Sequence, residues 1–196
     1  TGTDEHGQKV YETAVGRGME PKAHCDDMVV HWKATFEKLG ITYDRFFRTT
    51  DDDHIANVTA VLQMLFDKGE IYKQDYTGWY HVGDEIFVTD KDVEDGKYDK
   101  SELKEISESN YWFKMGSYQQ QLVDYLENNP DFVKPIGRMN EVKGFLKNEL
   151  GDLCISRPRK RVAWGIPLPF DEDYVNYVWF DALLNYVSAP GHLSDQ

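Results

Sequence analysis

Residues 174–189, YVNYVWFDALLNYVSA, open as a β-rich run from Tyr174 to Phe180 and turn, with no linker, into an apolar helical pattern. A strand feeding straight into a helix is the unit of an open α/β sheet, in which ligands bind beyond the carboxyl ends of the strands. The stretch therefore predicts an α/β fold with a cleft near residues 179–186.

Working back along the chain, 140–152 and 118–132 read as short amphipathic helices, the second of these stopped before Pro130. Residues 91–109 are charged and loop-like. Residues 71–90 alternate, are rich in aromatic and β-branched residues and are punctuated by Gly78 and Gly83, which predicts short antiparallel strands. Two helices precede them. The first spans 20–40 with Met28, Trp32 and Phe36 as its stripe, widened by Val29 and Leu39 and ended by Gly40. The second spans 51–69 with Ile55, Val58, Leu62, Leu65 and Phe66 as its stripe. Asp51, Asp52 and Asp53 suit its N-terminus, where carboxylates oppose the helix dipole, better than they suit a metal. The pattern is an α/β domain divided as 1–72 and 154–196, with a mixed α+β insert at 73–153.

Composition narrows the function. The 196 residues are 40% apolar and carry a net charge of −13, ample for a core and unsuited to coating nucleic acid, which relies on Lys and Arg. A local basic patch touching RNA is compatible with this balance. No run approaches the roughly 18 apolar residues of a membrane span. Cys25 and Cys154 stand far apart among apolar neighbours and read as reduced core thiols; there is no Cys-x-x-Cys.

Chemistry concentrates in three places. TGTDEHG, residues 1–7, places Asp4, Glu5 and His6 between glycines, as on a tight turn after a strand. It fits a solvated turn, or a carboxylate that holds a substrate ammonium by charge-assisted hydrogen bonds. In CISRPRKRVAWGIPLP, residues 154–169, the cations Arg159, Lys160 and Arg161 fit a phosphate site and a solvated basic loop equally well, while Arg157 follows a strand-like run and can point into the cleft. Trp179, Ala182, Leu183 and Tyr186 form the third cluster. On local grounds core packing is the stronger reading; as a pocket they suit an unbranched side chain. A thioether is a reasonable guest, since sulfur packs on aromatic rings at roughly 0.3–1.5 kcal/mol. No nucleophilic triad, P-loop or G-x-G-x-x-G is present.

The segments TGTDEHGQK, YDRFFRTTD, GEIYKQDYTGWYHVGDEIF, SESNYWFKMGSYQQQLVDYLENNPDFVKP, DLCISRP, WGIPLPFD and YVWFDALLNYVSA together resemble the bacterial type of methionyl-tRNA synthetase, in that family's order and over nearly the whole chain. The resemblance implies a class I aminoacyl-tRNA synthetase with a Rossmann-like catalytic domain, incomplete here, split by a connective-peptide insert. It implies a cytoplasmic enzyme, with no membrane, whose partners are methionine, ATP with Mg2+ and tRNA(Met), and which forms methionyl-adenylate before transferring it. Asp4 resembles the carboxylate that holds the α-ammonium, and Trp179, Ala182, Leu183 and Tyr186 resemble the methionine pocket. Arg157 resembles a cleft arginine near the reacting carboxylate and phosphate, and His6 a wall of the same cleft. Substrate carboxylate attacks the α-phosphate directly, so positioning and charge stabilisation replace a nucleophile.

Two departures follow. After GWY the family's zinc-knuckle cysteines are matched by His81 and Asp84, which cannot close a tetrahedral site, so no structural zinc is expected. The family's His-Ile-Gly-His and Lys-Met-Ser-Lys-Ser signatures are missing; FKMGSY (Phe113 to Tyr118) lies within the insert and imitates the second. They are expected before residue 1 and after residue 196, leaving this segment alone inactive. The alternatives are a synthetase-derived binding module without catalysis, or a class I synthetase for another aliphatic amino acid.

Overall fold

The computed structural model describes residues 1–81, 83–84 and 86–191. Strand β1 (Gly2–Thr3) leads through a turn to α1 (Gln8–Gly16) and α2 (Pro21–Lys38); β2 (Phe47–Arg48) then pairs with β1 in parallel. The two backbones approach so closely that a Cβ on Gly2 would lie 1.7 Å from the Phe47 carbonyl oxygen, which explains the glycine. Helix α3 (Asp52–Asp67) follows.

The chain next builds a four-stranded antiparallel sheet, ordered β4-β3-β5-β6, from β3 (Ile71–His81), β4 (Ile86–Val88), β5 (Leu103–Phe113) and β6 (Leu153–Cys154). A short α4 (Asp90–Glu94) lies between β4 and β5, and α5 (Gln119–Asn128) and α6 (Ile136–Phe145) between β5 and β6. The last sheet, ordered β7-β9-β8, comprises β7 (Ser156–Pro158), β8 (Pro167–Leu168) and β9 (Asp171–Asn176), and leads into α7 (Val178–Ser188).

The main core lies where α3, both larger sheets and α7 meet. Val58 and Leu62 of α3, Ile71, Tyr111, Ile155, Ile166 and Leu168 are buried together, with Phe180 and Leu184 of α7 packed against them. Each such aliphatic side chain stabilises the fold by roughly 1.5–3 kcal/mol. A smaller core of Leu126, Met139, Leu146 and Leu150 joins α5 to α6. Of the predicted α3 stripe, Val58 and Leu62 are buried and Ile55 and Leu65 partly buried, while Phe66 is 37% exposed and stacks on Phe170 at 4.0 Å; Asp52 and Asp53 occupy the first turn.

Four expectations need correction. Residues 103–109 are strand, not loop: β5 pairs with β3 from Ile71↔Phe113 to His81↔Leu103. That ladder, with bonds such as Thr77 Oγ1 to Ser107 Oγ at 2.9 Å, overrides the weak strand preference of Glu, Lys and Ser. Helix α2 buries His24, Cys25 and Val29, whereas Met28, Trp32 and Leu39 stay 37%, 48% and 68% exposed. Its orientation is set by contacts with the opening turn, where the Cys25 thiol donates to the Glu5 carbonyl; Trp32 and Phe36 join Tyr43 and Phe46 in a surface aromatic cluster. Helix α6 begins at Ile136, four residues before the sequence pattern places it. Finally, β9 ends at Asn176 and is flanked on both sides by antiparallel partners. The Asn176 and Tyr177 amides donate to Ile166 and Ile155 carbonyls, so Trp179 and Phe180 fall in the first turn of α7 rather than in strand. Among the described residues, the parallel pairing expected of an open α/β sheet is confined to β1 and β2.

Candidate functional site

The turn after β1 is fixed by Glu5, which is 3% exposed. Its carboxylate accepts from Arg48 Nε at 2.7 Å, Arg48 Nη2 at 2.8 Å, Thr3 Oγ1 at 2.6 Å and Thr50 Oγ1 at 2.5 Å. Burial pushes its pKa up, but the bonds from Arg48, Thr3 and Thr50 outweigh burial and hold it below the ordinary carboxylate value. Its backbone is also held: the amide donates to Thr49 Oγ1 at 2.9 Å, and Trp164 Nε1 donates to its carbonyl at 2.6 Å. Gly7, at φ +111, releases the chain into α1. Between these anchors Asp4 is presented at the surface.

Helix α7 supplies the opposite wall. Trp179, Ala182, Leu183 and Tyr186 stand at i, i+3, i+4 and i+7, a single helix face. They line a cavity of about 480 Å³ together with Gly2, Asp4 and Phe47. Trp179, Leu183 and Tyr186 are 56%, 56% and 80% exposed, so the core-packing reading of this cluster fails: they face the opening, while Phe180 and Leu184 pack inward. The structure thus brings the Asp4 turn and the four aromatic or apolar residues to one cavity, although more than 170 positions separate them in sequence.

His6 lies beside this cavity rather than in its lining. It is 7% exposed, its ring sits 5.3 Å from that of Trp164, and its Nδ1 lies 2.6 Å from Asp181 Oδ2. Asp181 Oδ1 also meets His54 Nε2 at 2.6 Å. Burial raises the Asp181 pKa, but the bonds from His54 and His6 prevail and hold it below the ordinary aspartate value.

Arg157 is 3% exposed. Its guanidinium lies over the rings of Tyr177 at 3.9 Å and Phe87 at 4.8 Å, and its Nη1 donates to the Ser156 carbonyl at 2.8 Å. It lines a second, more apolar cavity of about 530 Å³ that shares Trp179 with the first. Arg161 Nη2 donates to Glu108 at 2.7 Å, while Arg159 and Lys160 are exposed. The structure therefore does not gather the four cations into one cluster. Cys25 and Cys154 are free and buried, and burial raises both thiol pKa values, that of Cys25 to about 11. His81 donates from Nε2 to Glu102 at 3.1 Å and accepts the Asp84 amide at 3.0 Å. Among the described residues, no group of three His, Cys, Asp or Glu side chains is placed to hold a metal ion.

Sequence reasoning missed Asp181, His54 and Arg48, and left Glu5 without a role. Two signals were available. Asp181 is the only charge in the run 178–188, and His54 precedes Val58 and Leu62 by one and two helical steps, on the buried stripe of α3.

The chain matches the family model of class I tRNA synthetases (M) over residues 1–98 and 95–196. Relatives include the methionine–tRNA ligase of Clostridium acetobutylicum, 44% identical across the whole chain and 30% of that protein, and that of Deinococcus radiodurans, 45% identical over 95% of the chain and 29% of the protein. The chain thus spans about a third of the length of the curated relatives it matches. Mycobacterium tuberculosis methionyl-tRNA synthetase in complex with methionyl-adenylate superposes with a TM-score of 0.87 at 36% identity, covering 97% of this chain and 38% of that one. The apo form of the same synthetase gives 0.75 at 34% identity, covering 89% and 36%.

Proposed function

The chain belongs to the class I tRNA synthetases (M), and on that premise we propose that the protein carrying it is a methionine–tRNA ligase. It activates methionine with ATP to methionyl-adenylate, releases pyrophosphate and transfers the methionyl group to tRNA(Met) in the cytoplasm, with Mg2+ accompanying the nucleotide. Residues 1–72 and 154–196 form parts of the Rossmann-like catalytic domain, and 73–153 form the connective insert; no structural zinc is required.

One observation carries this reading: Asp4 and the face Trp179–Ala182–Leu183–Tyr186 share a cavity of about 480 Å³. A carboxylate beside an apolar, aromatic wall suits a zwitterion with an unbranched side chain, the ammonium on Asp4 and the thioether against the rings. Arg157 lines the adjoining cavity that shares Trp179, and the family resemblance is what suggests for it a role near the reacting carboxylate and phosphate. Proximity and electrostatic stabilisation then carry the reaction, because the substrate supplies its own nucleophile.

Methionine-dependent exchange of pyrophosphate into ATP tests the proposal in the whole protein, with leucine and homocysteine as competitors. Activation of methionine ahead of both is expected. Preference for leucine, or no exchange with any of the three, would refute it.

A further inference from the structure

Helix α7 has an inner face as distinctive as the one over the cavity. There Asp181, 1% exposed, binds two imidazoles at once, His6 Nδ1 and His54 Nε2, each at 2.6 Å. An ionised carboxylate only accepts, so both facing nitrogens carry protons. His54 Nδ1 lies 3.0 Å from the hydroxyl of Ser188, almost two turns further along α7, so the helix is gripped twice. The residues so joined lie outside the cavity lining, each next to a different part of it. His6 is two residues from Asp4 on the same turn; His54 begins α3 and packs edge-on against the cavity residue Phe47 at 5.5 Å; Asp181 lies between Trp179 and Leu183.

Stability alone does not account for the arrangement. Burying an ionised group with its partners is often no better than burying an apolar side chain of similar volume, which leaves the fixing of one geometry as the role to test here. An apolar residue at position 181 would also continue the α7 core made by Phe180 and Leu184.

We propose that Asp181 is a positioning residue: clamped between His6 and His54, it locks helix α7 to the Asp4 turn so that the ammonium-binding carboxylate and the side-chain pocket form one rigid unit. This rests on the methionine reading above. The clamp is expected to act on methionine, because each of its arms is a neighbour of a residue that lines the Asp4–Trp179 cavity.

The test uses the whole protein. His54→Ala removes one donor, whereas His54→Gln can return an amide donor to the place of Nε2. For His54→Ala the KM for methionine is expected to rise about tenfold, with kcat and the KM for ATP within about twofold, and Gln should restore most of the loss. Equal changes in all three constants, or no rescue by Gln, overturns the proposal. A second arm needs neither activity nor the His54 variants. In Asp181→Asn, amide hydrogen exchange over residues 3–7 and 178–188 should quicken at least about threefold while β3 and β5 keep their rates. Unchanged exchange, or uniform acceleration, rules the clamp out. If the parent protein fails to activate methionine, the proposed function falls, yet the exchange comparison still decides whether the clamp exists.

Discussion

Arg48 is partly and Arg157 almost wholly drawn out of water, and they are held in opposite ways. Arg48 meets charge: its fork donates to both oxygens of Glu5, and its remaining nitrogen reaches Asp26 at 2.7 Å. Arg157 meets aromatic faces and a carbonyl, stacked on Tyr177 with Phe87 beyond and bonded to Ser156. The first arrangement makes one short turn rigid, because each lone pair on Glu5 has an assigned donor. The second joins two sheets, since Phe87 belongs to β4 and Tyr177 follows β9; flat faces tolerate a sliding contact that a bidentate bond forbids. The site thus has a wall fixed by charge and a neighbouring wall fixed by packing.

The sharpest way to break this comparison is Arg48→Ala. It leaves Glu5 buried without its cation and should destabilise the protein by about 3–5 kcal/mol, read by denaturant unfolding. Its pH dependence discriminates further. In the parent, Glu5 is held below its ordinary value of 4.5, so its contribution is complete above that pH and is lost as pH falls through the depressed folded value. In the variant only the Thr3 and Thr50 hydroxyls oppose burial, so the folded value moves up from the parent's and less of this contribution remains at neutral pH. The gap between the two proteins should therefore be widest at neutral pH and narrow as pH falls from the variant's folded value through the parent's lower one; a pH-independent gap would mean that Arg48 acts through packing alone.

Asp4→Ala comes next and separates presentation from support. Neighbouring Glu5 is structural, whereas Asp4 is exposed at the cavity, so unfolding stability should change by no more than about 0.5 kcal/mol. Methionine activation should fall by about 1.5–3 kcal/mol in kcat/KM, the range for a hydrogen bond to a charged group. Near-parental kinetics would return Asp4 to the role of a solvated turn residue. A loss smaller than the kinetic loss at Asp4 is expected from Arg157→Lys, which keeps the charge but loses the planar stack, at about 1–2 kcal/mol of stability. A loss as large as that of Arg48→Ala would erase the contrast between the two arginines.

The elements differ in how legible they were in the sequence, and the reason is the range of the forces involved. Helix α3 was readable because its stripe, its acidic first turn and Gly69 at φ +72 are local signals that the structure keeps. Strand β5 was not, since its stability comes from an eleven-residue ladder with β3 rather than from its own side chains. The buried face of α2 was misread for a related reason: Trp32 and Phe36 are more hydrophobic than His24, but the opening turn contacts the other side.

For the site, sequence by itself determined the family and the residue types of the cavity, because these are properties of order and chemistry along the chain. Tertiary structure alone decided three things. It brought Asp4 and Tyr186 to one cavity, it gave adjacent Asp4 and Glu5 opposite environments, and it closed Asp181 between two histidines. Each depends on which groups from distant segments share a volume with little water, and there a hydrogen bond or an ion pair is decided by neighbours that linear order does not name.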